Sequence, residues 1–139
     1  MTEEKINKEL AEKEFLDWCE LNDLETDTAE MDDKEKVLFE GARKSTIKMI
    51  QKGRLIVDGE KLEYTVSNFS PAGFAGEKLT ISRPNGSIYL ALDGKNTGEM
   101  HRINAAMSAL VGKDTGWLAK LDAKADWTFL NRITQLFLL

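Results

Sequence analysis

The stretch RLIVDGEKLEYTV, residues 54–66, constrains the fold more than any other. Two runs rich in β-branched and aromatic side chains flank Asp58-Gly59. An Asp-Gly pair in that setting marks a hairpin, because its turn requires a positive φ. Strands are expected near 54–57 and 60–67. EKLTISRP is a third strand candidate, stopped by Pro84, and the Gly-, Ser- and Pro-rich SNFSPAGFAGE is the loop before it. Three short strands of this kind form a small antiparallel sheet.

A 3.6-residue period governs both flanks. TEEKINKELAEKEFLDWCELND contains no Gly or Pro, and Ile6, Leu10, Phe15, Trp18 and Cys19 fall near helical spacing. Its first part is mostly charged, so an arm packing at its Phe15–Trp18 end is expected. The acidic DLETDTAEMDDK reads as a solvated connector. Asp32 or Asp33 is the expected N-cap of the helix KEKVLFEGARKSTIKMIQKG, and Gly53 stands where a helix C-terminal glycine belongs. NGSIYLALDGKNTG reads as a short helix or strand followed by a turn around Asp93-Gly94. From Thr97, Met100, Ile103, Met107, Leu110 and Val111 line one helix face, which Gly112 ends. DTGWLAKL gives a turn or so of helix, and a last helix runs from about Ala123. The expected fold class is α+β: N-terminal helices, a small antiparallel sheet with a β-hairpin, and a C-terminal helical subdomain. Residues 1–30 are expected as an acidic helical arm and connector, and 31–139 as one α+β domain with C-terminal helices over 97–139.

At 139 residues the chain has enough material for one core without covalent staples. Its net charge of −5 and its lack of any basic stripe argue against nucleic acid and anionic membranes as partners. A single cysteine, no signal-peptide pattern and no run near the ~20 apolar residues of a membrane span lead to an expected cytoplasmic location. Catalytic residues are hard to find. His101 is the one histidine and falls on the exposed side of its helix, and no serine sits in Gly-x-Ser-x-Gly. Cys19, beside Trp18, reads as a core thiol. A calcium loop begun at Asp23 fails, with Thr28 where glycine is needed and Lys34 where glutamate is needed. Gly94-Lys95 and Gly112-Lys113 lack a Walker context, and GFAGEK is no dinucleotide fingerprint. No enzyme activity, cofactor or metal is expected.

The final segment is unusually apolar. Projected at about 100° per residue, the large apolar side chains of 123–139 fill roughly 200° of arc, against the stripe little over about 100° that one core face requires. The surplus is covered either by the rest of the chain or by another protein. In the second case Trp127, Leu130, Ile133, Phe137, Leu138 and Leu139 form a protein-interaction face.

INAAMSALVGKDTGWLAKLDAKADWTFLNRITQLFL resembles the C-terminal half of the tail assembly chaperones of tailed bacteriophages. In that family a helix ends in a small "ltG" turn, here Leu110-Val111-Gly112. An "L-x-x-L-D-x-x-D" segment follows, here Leu118, Leu121, Asp122 and Asp126 with one extra residue before the second aspartate. A last apolar helix closes on Phe-Leu, here Phe137-Leu138. LTISRPNGSIYLALDG is similar to the family's strand leading into Arg83-Pro84 and the stretch Leu90 to Asp93. The resemblance spans residues 54–139. It implies a non-enzymatic chaperone in the host cytoplasm that binds the tape-measure protein and tail-tube subunits, with self-association, and leaves before the tail is finished. The alternative is a structural tail component, a connector or completion protein retained in the particle.

Overall fold

A computed structural model of the chain describes residues 7–93 and 98–139. Ile6, Gly94 and Thr97, which enter the expectations above, lie outside them. The fold is α+β, with six α-helices and a three-stranded antiparallel sheet among the described residues.

Helix α1 (Lys8–Leu21) starts where the Asn7 side chain accepts the Leu10 amide at 2.8 Å. It stops in a paired-bond motif: the Leu24 amide returns to the Cys19 carbonyl and the Asp23 amide to the Glu20 carbonyl. Asp23 takes the left-handed position between them, at φ +55°. A 3-10 turn (Thr28–Glu30) leads to α2 (Asp33–Gln51). Of the two expected caps the chain uses Asp32, in a reciprocal box with Glu35. Helix α2 ends in the same motif as α1, with Gly53 at φ +76° in the left-handed place.

Strands β1 (Leu55–Asp58), β2 (Lys61–Thr65) and β3 (Lys78–Ile81) pair antiparallel in that order. The strands are displaced slightly from the expected ranges, so the two-residue turn is Gly59-Glu60. Gly59 alone carries the positive φ (+61°), the pattern of a II′ turn. Pairing Leu55 with Tyr64, Leu62 with Ile81 and Tyr64 with Leu79 puts all five on one buried face.

Two helices follow: α3 (Ser87–Leu92) and α4 (Glu99–Val111), which ends at left-handed Gly112. The ambiguous segment is therefore helical. Met107, Leu110 and Val111 are buried as expected and Ile103 is half-buried, but Met100 is exposed, one turn before the helix reaches the core. Then come α5 (Thr115–Leu118), a π-helical turn (Ala123–Trp127) and α6 (Thr128–Leu138).

One core joins these parts. Ala11, Phe15, Trp18 and Cys19 of α1 share it with Phe39 and Ile50 of α2, the sheet face, Met107 and Leu110 of α4, and Leu130 and Ile133 of α6. Of the stretch expected as an arm, the described part, residues 7–30, packs into this core at Ala11, Phe15, Trp18 and Cys19, around the end expected to pack. Trp18 Nε1 and Asn22 Nδ2 both donate to the Glu60 carbonyl at 3.0 Å, fastening α1 to the hairpin turn. The division at residue 30 cuts through this core.

Candidate functional site

The position of α6 decides which of its side chains meet solvent, and a buried carboxylate fixes that position. Asp126, in the π-helical turn, is fully buried. Its Oδ1 accepts from Tyr64 Oη at 2.5 Å, the Ser67 amide at 2.8 Å and Arg54 Nη2 at 3.0 Å. Its Oδ2 accepts from Ser70 Oγ at 2.6 Å and Ser67 Oγ at 2.7 Å. Ser70 Oγ also accepts the Asp122 amide, and the Asp122 carboxylate caps the turn by accepting the Ala125 amide. Burial pushes the Asp126 carboxyl up, but the donors from Ser70, Tyr64 and Ser67 outweigh it and hold it below the ordinary carboxylate range. Burial and the Asp126 contact raise the Tyr64 phenol, so the pair is a carboxylate facing a neutral hydroxyl. Saturated by five donors, Asp126 is a cross-link between the hairpin, the 66–77 loop and the start of α6. The Phe129 ring stacks on Tyr64 at 4.9 Å and extends the link into the core.

With α6 fixed this way, the six expected interaction residues separate. Leu130 and Ile133 are 0% exposed, so they belong to the core and not to a docking face. This corrects the expectation for both. Helix α2 packs along α6, α4 packs along it too, and the sheet meets it through Phe129, so the chain itself covers most of the wide apolar arc. Trp127 is half-buried, donates Nε1 to Asn104 Oδ1 at 3.0 Å, and lines a separate apolar depression of about 320 Å³ with Met100, His101 and Leu121. Leu138 is half-buried. Phe137 is half-buried with its ring edge-on to Trp18 at 5.6 Å, and Leu139 is 43% exposed.

Phe137 and Leu139 form part of a groove. Two adjoining depressions of about 350 and 210 Å³ share Leu24, Arg83, Tyr89 and Phe137. The apolar floor consists of Leu24, Met31, Leu136, Phe137 and Leu139, with the exposed Tyr89 at one side. The rim carries Asp23, Glu25, Glu30 and Glu35. Arg83 is the one cation there, and its guanidinium donates to the Asn22 carbonyl. Glu35 is engaged in the α2 cap. Asp23, Glu25 and Glu30 are left to set a negative field over an apolar floor.

The sequence reading missed most of this groove. It took residues 23–34 as a solvated linker, whereas the left-handed turn at Asp23 points the chain back so that Leu24 and Met31 pack against the core. Apolar residues at 24 and 31 within an acidic run were the available signal. It also missed the Asp126 network, whose signal was one aspartate set among Leu121, Trp127 and Phe129. Cys19 lies where expected: it is buried, and burial pushes its thiol up to about 12. His101 is exposed. Among the described residues, no three His, Cys, Asp or Glu side chains converge to hold a metal ion, and no helix is long and apolar enough to cross a membrane. Comparison with protein-family models, with curated proteins and with solved structures returns no match.

Proposed function

We propose that the protein is a non-enzymatic assembly chaperone of a phage or prophage tail. In this reading it acts in the host cytoplasm and binds the tape-measure protein, and through it the tail-tube subunits. The observation that carries the reading is the groove floored by Leu24, Met31, Phe137 and Leu139 and rimmed by Asp23, Glu25 and Glu30. Such a groove accepts a segment with apolar anchors flanked by lysine or arginine, the helix-in-groove mode of recognition. The turn and apolar pattern of residues 54–139 supports the tail family as the setting.

Co-expression with a tape-measure protein tests it. The wild-type chain should keep the partner soluble and co-purify with it, and Tyr89→Asp combined with Leu139→Asp, both at exposed groove residues, should lose both while remaining folded. Equal recovery with the variant would remove the groove from the interaction. Finding the chain in purified particles would favour the retained connector or completion protein instead.

A further inference from the structure

A second groove, of about 500 Å³, lies on the exposed side of the C-terminal half of α2 and shares no residue with the first. Its lining carries Lys8, Arg43, Lys44, Lys48 and Arg132, with Ser45, and among the described residues no carboxylate. In a chain of net charge −5 this is a local inversion of sign. Two of the five cations are held in place. Arg43 pairs with Glu12 of α1 and with Glu40, and Arg132 of α6 donates to Ser45 Oγ. Lys8, Lys44 and Lys48 make no ion pair among the described residues. Lys44 and Lys48, four residues apart on one helix, repel each other.

We propose that this groove binds a short acidic segment of a partner protein. Lys44 and Lys48 stand one turn apart, with Cβ atoms about 5–6 Å from each other. Carboxylates at alternate positions of an extended segment are spaced by nearly the same distance, about 6.6 Å. The pre-positioned Arg132 extends the row from a neighbouring helix. A long polyanion such as nucleic acid would meet the negative surface beyond the groove. A short acidic segment meets the cations alone, which decides between the two. The site does not depend on the chaperone reading, because it uses other residues.

The test is fluorescence anisotropy with a short dye-labelled peptide carrying glutamate at alternate positions, against its glutamine counterpart. The glutamate peptide should bind, weaken with rising salt as surface ion pairs do, and lose about tenfold or more of its affinity in the Lys44→Glu/Lys48→Glu variant. Lys44 and Lys48 are exposed, so the variant should keep the wild-type urea midpoint. If it does not fold, Lys44→Gln/Lys48→Gln replaces it with the same direction of effect. Equal binding of both peptides, or an unchanged affinity in the variant, overturns the proposal. Displacement of the peptide by inorganic pyrophosphate or a nucleoside triphosphate at lower concentration would make this a phosphate site and also overturns it. Concentration-dependent self-association that the same variant abolishes would give the groove to a second copy of the chain.

Discussion

Asp126 shows how much one side chain can hold. A buried carboxylate is destabilising unless it is paired and hydrogen-bonded, and here five donors meet it. Asp126→Asn keeps the shape but leaves the Arg54 guanidinium without its charge partner and turns amide hydrogens toward donors. The expected cost is ~3 kcal/mol, read as a lower urea midpoint. The pH dependence follows from the depressed carboxyl. Its folded value lies below its unfolded value of about 3.9, so its contribution is fully present above about pH 4 and is lost as pH falls through the folded value. The gap between wild type and Asp126→Asn should therefore be widest near neutrality and close in acid. A gap that stays constant through the acid range would show that the carboxylate charge is not what matters. Gly59 tests the hairpin in a different way. A Cβ there meets nothing within 4 Å, so Gly59→Val acts through its φ of +61° alone and should cost about 1–3 kcal/mol. An unaltered midpoint in urea would mean the turn tolerates a β-branched residue.

Helix α6 was legible as a helix and not as a surface. Reading 123–139 as one α-helix at a constant angle assumes unbroken i→i−4 bonding. The Trp127 amide instead reaches the Asp122 carbonyl at 2.9 Å, five residues back. That single wide turn offsets the residues before it from those of α6 by about 100°, the angle one residue occupies. Trp127 closes the turn half-buried against Asn104, whereas Leu130 and Ile133 lie in the core. Local signals fared better: the Asp32 cap, the glycines at 53 and 112, and the hairpin can each be read from a few adjacent residues. What stayed hidden is tertiary, such as the arrival of Ser67 and Ser70 from a loop at an aspartate more than fifty positions away. The buried face of α6 and the exposed residue that follows it can now be separated by mutation. Ile133→Ala should cost ~2–5 kcal/mol as a core cavity, whereas Leu139→Asp should leave the urea midpoint within about 0.5 kcal/mol of wild type. If the two variants lost stability equally, Leu139 would have to be a core residue.

At the scale of the molecule, helices α1, α2, α4, α5 and α6 and one sheet face meet in a single apolar interior that begins at Ala11 and closes at Leu136. Such a body should unfold in one step. Far-ultraviolet circular dichroism, which reports all helices, and the fluorescence of a Trp117→Phe/Trp127→Phe variant, which reports the buried Trp18 alone, should give coincident urea curves. An early fluorescence transition would mean that α1 detaches as a separate arm. The same arrangement has a consequence for synthesis. The interior walls up to Val111 are synthesised before Phe129, Leu130, Ile133 and Leu136 exist to cover them. At about 5–20 residues per second, Trp18 and Leu62 precede their α6 cover by ~3–22 s. During that interval the nascent polypeptide is as exposed to mispairing as any aggregation-prone client, and completion of its own last helix ends the exposure.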